Sequence, residues 1–271
     1  MSGNNFTKTM SLTSGKGGVG KTTLTTNLAL AFAQRGKKVL ILDGDLGMAN
    51  VDIFFGTKAK GSLHEVILGH KSMSEILTEL YPNIHLVSGG SGITDYQNMT
   101  ALQRQSMLES LSHLPHRFDI ALIDTAPGIA DHVLQLNSAS DEINVIITPD
   151  PSSLTDSYAL IKIMAQKYKR TRFSIICNQV RDEMEGRQLF IKFQDVCDRF
   201  LSVVLNYSGS VPFDTTVKRA NQSQKLFMKQ ESATVSTKAT QALANDMIKR
   251  LSHLESNSGL QVFWEQVVGT A

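Results

Sequence analysis

The sequence predicts an α/β fold: a doubly wound, mostly parallel sheet with helices on both faces. Three observations predict it. Short apolar runs without polar–apolar alternation recur along the chain, as strands buried on both faces require. Segments with helical spacing lie between them, which implies crossover connections. A glycine-rich loop follows the first run and opens the first helix. The 271 residues, 41% of them hydrophobic, suffice for one sizeable core.

The expected strands are 9–13, 38–42, 84–87, 120–123, 143–148 and 173–177. Each is rich in Ile, Val or Leu and is bounded by Gly, Pro, Asp or Asn. The first expected helix, 22–35, carries Leu24, Leu28, Ala31 and Phe32 on one face, with Gly36 as a C-terminal cap. Segments 101–114 and 153–169 have the same character. After about residue 231 the pattern is helical, without further strands. The expected organisation is one domain over 1–255, then a linker and a terminal helix over 256–271.

Bulk properties exclude several classes. The formal charge of +2, from 27 basic and 25 acidic residues, gives no strong field toward nucleic acid. The two cysteines, Cys177 and Cys197, lack metal-type spacing and read as ordinary reduced thiols. Residues 1–10 are polar and carry no signal-peptide run. No stretch approaches the roughly 20 apolar residues of a membrane span. The expected location is the cytoplasm, with a peripheral membrane contact left open.

The run Gly15-Lys16-Gly17-Gly18-Val19-Gly20-Lys21-Thr22 satisfies the P-loop pattern, between an apolar strand and an amphipathic helix. Glycines let backbone N–H groups converge on phosphate oxygens without Cβ clashes. The helix N-terminus adds partial positive charge. Lys21 is expected to reach the β- and γ-phosphates, Thr22 to ligate Mg²⁺, and Thr23 to touch the α-phosphate of ATP. A γ-phosphate site also needs carboxylates near the metal and the attacking water. Asp43 and Asp45 follow the second strand, and Asp124 follows the fourth, at the carboxyl ends where a parallel sheet places its ligands. Asp124 reads as the metal-holding aspartate. Asp43 reads either as part of the metal shell or as a brace for the strand end. The segment 128–131 reads as a switch loop that senses the γ-phosphate.

The second lysine, within Lys16-Gly17-Gly18-Val19-Gly20-Lys21-Thr22, resembles the deviant Walker A motif of the MinD/ParA family, and the resemblance covers the whole chain. It implies that Lys16 crosses a homodimer interface to the partner's phosphates, and that Asp45 orients water. It also implies that Asn178 bonds the adenine and that the loop Val211-Pro212-Phe213-Asp214 borders the ring. Segments 45–52, 153–162, 185–187 and 198–201 resemble the branch of flagellar number regulators called FlhG or FleN. In that family the residue at Asp156 lies near the dimer interface and the extra lysine; the alternative there is a first-turn helix acid. Two departures stand out. Gly44 replaces the usual Ala, a change expected to be tolerated. The branch's N-terminal Asp-Gln-Ala activator motif for the GTPase FlhF is missing, so direct activation of FlhF by that segment is not implied.

Leu260, Phe263, Trp264, Val267 and Val268 fall at helical spacing in the tail, opposite Gln261, Glu265 and Gln266. The resemblance implies that this helix docks on the inner face of the cell membrane when ATP drives dimerisation, two weak helices adding their affinities. The alternative is a helix packed in the domain's own groove. By resemblance the output is control of flagellum number or placement, with FlhF, a FleQ-type transcription activator and C-ring components as partners. A MinD-type division-site regulator and a ParA-type DNA segregation ATPase are the competing readings, and an ATP-dependent synthetase is a third.

Overall fold

The computed structural model describes residues 6–45, 50–90, 99–112, 114, 117–229, 234–253 and 259–269. The stretch 46–49 within the expected segment 45–52, the first five residues and most of the expected linker lie outside them. Eight strands form one sheet. They are β1 (Lys8–Thr13), β2 (Val39–Gly44), β3 (Thr78–Tyr81), β4 (Ile84–Ser88), β5 (Ile120–Thr125), β6 (Glu142–Ile147), β7 (Arg172–Val180) and β8 (Val204–Pro212). Their spatial order is β3-β4-β2-β5-β1-β6-β7-β8. Every pairing is parallel except β3 with β4. The inner strands are buried along nearly their whole length, which explains their unbroken apolar runs.

Two strands depart from the sequence expectation. β3, Thr-Glu-Leu-Tyr, alternates buried and exposed at the sheet edge, so it carries no continuous apolar run. β8 is the opposite edge, and its Asn206, Ser208, Gly209 and Ser210 dilute the apolar signal. Val211 and Pro212, expected in a loop, therefore end a strand; only Phe213 and Asp214 form the turn.

The principal helices are α1 (Lys21–Ala33), α5 (Ala101–Ser112), α6 (Asp131–Ala139), α7 (Pro151–Tyr168), α8 (Glu183–Phe200), α9 (Thr215–Gln222), α10 (Val235–His253) and α11 (Gly259–Val267). Three short ones, α2 (Val51–Phe55), α3 (Leu63–Ile67) and α4 (Met73–Ile76), lie between β2 and β3. α7 begins two residues before its expected start, because Asp150 accepts from the Ser152 amide and Pro151 occupies the first helical position. α1 and α10 pack on one face of the sheet, over Met10, Leu12, Ile41 and Ile146. The other face carries two adjoining clusters. One lies under α7 and α8 and includes Ile147, Leu160, Ile175 and Phe193.

The second cluster contains the tail. Phe263, Trp264, Val267 and Val268 are buried together with Leu40, Leu42, Leu111, Ile123 and Leu136. The stripe expected to face lipid thus faces the sheet, and α11 shares the domain's core instead of forming a separate appendage. The physical reason is that α5 and α6 leave an apolar trough over β2 and β5 that only an apolar helix face fills. Leu260 packs at its margin.

Candidate functional site

The Gly15–Thr22 loop joins β1 to α1 at the carboxyl edge of the sheet. Gly18 and Gly20 have φ of +78° and +93°, conformations that L side chains rarely adopt. Gly15 answers a different need. A Cβ there would lie 2.1 Å from the Asp156 carbonyl carbon, so the loop rests on the backbone of α7. Asp156, expected near Lys16 and a dimer interface, is thus placed under the loop's first glycine.

The two lysines have separate environments. Lys21 is buried and donates to the Ser14 hydroxyl at 2.9 Å, while Ser14 donates to the Lys16 carbonyl at 2.6 Å. Burial lowers the Lys21 ammonium from its ordinary range; Asp124 and Asp45 oppose that shift. Lys16 instead donates to Asp150 Oδ2 at 2.6 Å and Ser152 Oγ at 2.5 Å, at the start of α7. Its side chain is 40% exposed.

Parallel register sets Asp43 of β2 beside Asp124 of β5. Both are buried. Burial, reinforced by Asp124, pushes the Asp43 carboxyl up to about 7, against backbone N–H donors from Val51, Asp45 and Asn50. Burial pushes Asp124 up to about 6, although hydroxyls of Thr22 and Thr25 and the charge of Lys21 favour its ionised form. Asp45 is close enough to bear on the charge of both Lys21 and Asp124. The structure therefore gathers Lys21, Thr22, Asp43, Asp45 and Asp124 into one cluster. Two buried carboxylates side by side with a hydroxyl are hard oxygen donors, and they fit Mg²⁺ held partly through phosphate.

Gly128 closes the cluster from the switch side. Its N–H donates to the Ser14 carbonyl at 2.9 Å, and α6 follows directly. At Gly44 a Cβ would meet the mobile end of the Leu136 side chain of α6 at 2.7 Å and the Asp124 carbonyl at 3.1 Å, so Ala there asks for a small shift of α6 packing.

On the other side of the loop a cavity of about 430 Å³ is lined by Gly20, Thr23, Asn178, Val211, Pro212, Phe213 and Asp214, the size of a nucleobase-and-ribose pocket. Asn178 Nδ2 donates to the Val19 carbonyl at 2.7 Å, so its amide also braces the loop. Several neighbours carried no sequence signal. Gln179, at φ +58°, also reaches the loop; Asn221 of α9 donates to Thr23 Oγ1 at 3.0 Å, and Phe227 forms part of the wall. Thr25 was readable, one turn after Thr22 on the same helix face. The partners of Lys16 were not, since Asp150 lies 134 residues away.

Residues 5–248 match the ParA family, described as NUBPL iron-transfer P-loop NTPase. The chain belongs to the ParA family of P-loop NTPases. Among relatives, it is 38% identical to the antiactivator FleN of Pseudomonas aeruginosa over 216 residues, 80% of this chain and 77% of that one. It is 31% identical to the flagellum site-determining protein YlxH of Helicobacter pylori, over 82% and 76% of the two chains. Its fold matches MinD in the MinC:MinD cell division complex of Aquifex aeolicus with a TM-score of 0.72 at 24% identity, covering 89% of this chain and 96% of that one. MinD of Pyrococcus horikoshii, solved with Mg-ADP, matches with a TM-score of 0.68 at 24% identity, covering 93% and 99%. The fold and the family expectations hold. No helix among the described residues is long and apolar enough to cross a membrane.

Proposed function

We propose that this chain is a Mg-ATP-driven switch that pairs with a second copy of itself at the inner surface of the cell membrane and regulates the number or placement of flagella. The observation that carries the reading is the separation of two lysines in one loop. Lys21 is buried against Ser14 near Asp45 and Asp124; Lys16 is held outside by Asp150 and Ser152. One lysine holds the β- and γ-phosphates, and the other remains available to a neighbour's nucleotide, where it neutralises charge during phosphoryl transfer.

The loop amides from Gly15 to Thr23 cradle the phosphates. Thr22, Asp43 and Asp124 would hold Mg²⁺, which would supply positive charge against the phosphates when bound. Asp45 orients the attacking water. Asn178 and the stretch from Val211 to Asp214 border the adenine. The Gly128 contact with Ser14 reports an ordered γ-phosphate to α6, which packs against α11 through the cluster containing Leu136 and Trp264. In the structure the tail is stowed; in the ATP dimer it is released, and Leu260, Phe263, Trp264, Val267 and Val268 enter the membrane interface.

The flagellar output rests on the likeness to FleN and YlxH, and it implies FlhF, a FleQ-type activator and C-ring components as partners. The iron-transfer activity in the family description has no support from the thiols. Cys177 and Cys197 are both buried, and burial pushes each up to about 12, away from the thiolate that iron ligation needs.

Light scattering in Mg-ATP tests the switch. Asp45→Ala is expected to bind ATP and accumulate as a dimer, and Lys21→Ala to bind no ATP and stay monomeric. A monomeric Asp45→Ala that hydrolyses at the normal rate would sink the proposal. Deletion of the gene is expected to change the flagellar count per cell.

A further inference from the structure

Formal charge is nearly balanced over the whole chain but not across the sheet. The carboxyl edge carries acids: Asp43, Asp45, Asp124, Asp150, Asp182 and Asp214 lie at or just past strand ends. The amino-terminal edge carries cations. Lys37 and Lys38 lead into β2, Arg117 precedes β5, Lys8 opens β1, and Lys169 and Arg172 stand at the start of β7. Neighbouring strands are about 4.8 Å apart, so this row, in the order β2-β5-β1-β6-β7, runs about 19 Å along one edge. The start of β6 interrupts it with Asp141 and Glu142, whose carboxylates are already engaged. Asp141 accepts from the N–H and hydroxyl of Thr9, and Glu142 from Ser174 and Arg250.

Backbone bonds bring the cations of β2, β5 and β1 together. The Lys8 amide donates to the Asp119 carbonyl at 3.0 Å, the Asp119 amide to the Lys38 carbonyl at 2.8 Å, and the Thr7 hydroxyl to the Phe118 carbonyl at 2.8 Å. Asp119 sits among them and accepts from the Lys38 amide at 2.8 Å. Lys8, Lys37, Lys38 and Arg117 thus meet one carboxylate here among the described residues. Lys38 and Arg117 are exposed and Lys37 is half-buried; none of the three has an ion pair or side-chain hydrogen bond among the described residues. Helix dipoles draw cations to helix ends, which accounts for Lys169 at the cap of α7. That effect fades within a turn and does not reach Arg117, beyond the end of α5 at Ser112.

The tail begins at the same place. Gly259, the first residue of α11, lies so near Phe6 that a Cβ on it would be 3.1 Å from Phe6 Cδ1, and Phe6 shortly precedes Lys8. From there α11 runs into the trough over β2 and β5, the strands that Lys37, Lys38 and Arg117 lead into. A tail leaving that trough is therefore tethered at the cationic edge. The helix itself, Gly-Leu-Gln-Val-Phe-Trp-Glu-Gln-Val, carries an acid and no cation. We propose that the amino-terminal edge, centred on Lys8, Lys37, Lys38 and Arg117, is the surface that meets anionic phospholipid headgroups when the tail is released. This rests on the membrane docking of the proposed function and adds what the tail lacks: the apolar helix supplies the anchor, and the edge supplies the attraction. Nucleic acid phosphates would also meet these cations, but an apolar helix rising from the same spot favours lipid. The phosphate loop, at the opposite edge, then faces away from the bilayer.

Co-sedimentation of the full chain with vesicles in Mg-ATP tests this. The wild type is expected to bind phosphatidylglycerol vesicles more tightly than phosphatidylcholine vesicles. Each cation near an anionic surface is worth about fivefold in affinity, so Lys37→Gln/Lys38→Gln/Arg117→Gln is expected to bind phosphatidylglycerol about a hundredfold more weakly. Its ATP turnover without vesicles is expected to be unchanged. Wild-type binding is also expected to fall steeply between about 0.1 M and 1 M salt, as the Debye length shrinks from about 10 Å to about 3 Å. Equal binding to the two vesicles, or a triple variant that binds phosphatidylglycerol as the wild type does, overturns this surface and leaves membrane docking by the tail standing. Loss of DNA binding in a gel shift, with vesicle binding intact, assigns the edge to nucleic acid instead. No pelleting of the wild type with either vesicle removes the membrane from the proposed function, and this surface with it. Should the triple variant melt early, the lipid preference and salt dependence of the wild type decide the matter.

Discussion

Replacing Phe263 by alanine perturbs the tail at its most buried point and leaves the phosphate loop untouched. Phe263 is 1% exposed and stacks edge-on against Trp264, with ring centroids 5.3 Å apart. Truncating a buried Phe to Ala costs about 3–5 kcal/mol, and the lost aromatic pair accounts for roughly 0.5–1.5 kcal/mol of contact beyond its area. Because α11 is a terminal element packed by one face, that loss falls first on its docking. Tenfold per 1.4 kcal/mol then lowers the docked-to-free ratio by about two to three and a half powers of ten. Trp264 is the chain's one tryptophan and is 2% exposed, so its emission reports the tail alone. The wild type without lipid is expected to emit in the blue and resist acrylamide. Phe263→Ala is expected to shift to the red and quench readily, while Mg-ADP affinity holds. Unchanged emission and quenching in the variant would refute the argument that the groove grips the tail through this side chain.

Three further outcomes are expected. Gly15→Ala places a Cβ 2.1 Å from the Asp156 carbonyl carbon, so loop and helix must part by more than an ångström; turnover is expected to fall about 10²-fold in an ATPase assay. Asp150→Asn removes the negative charge that pairs with Lys16 and leaves the Ser152 hydroxyl as its other acceptor. The Lys16 hydrogen bond, then those of Ser152, hold the Asp150 carboxyl down at about 2, so its stabilisation is present above the usual aspartate range and is lost as pH falls toward 2. Melting curves of variant and wild type should therefore differ slightly at neutral pH and converge in acid. Burial pushes both thiols up to about 12, so Ellman's reagent should leave the native protein unlabelled and titrate two thiols after unfolding.

The phosphate loop was legible because backbone geometry dictates its residues: positive φ at Gly18 and Gly20 admits few alternatives. The inner strands were legible because burial on both faces demands unbroken apolar runs. Edge elements were not. β3 is short and half polar, and β8 mixes Ser, Asn and Gly with its apolar residues, since an edge strand need not be apolar throughout. α8 carries Leu189, Phe193 and Cys197 at helical spacing, yet the sequence reading took up only its ends. Within the site, Asp124 and Asp43 could be placed at strand ends, but their side-by-side register is a property of strand order, which a sequence does not print. The tail's apolar stripe was plain, whereas its choice between lipid and groove depends on the trough that α5 and α6 leave. Lys16's hold on Asp150 is a tertiary contact between distant segments, invisible to any local pattern.

The neighbouring acids of β2 and β5 mean that the folded chain keeps part of its durability outside itself. Mutual repulsion at the centre of a sheet is relieved by whatever brings in a divalent cation, so a magnesium nucleotide, under the proposed function, is as much a structural component as a fuel. At a hundredfold excess over its dissociation constant such a ligand adds about 2.7 kcal/mol to the native state.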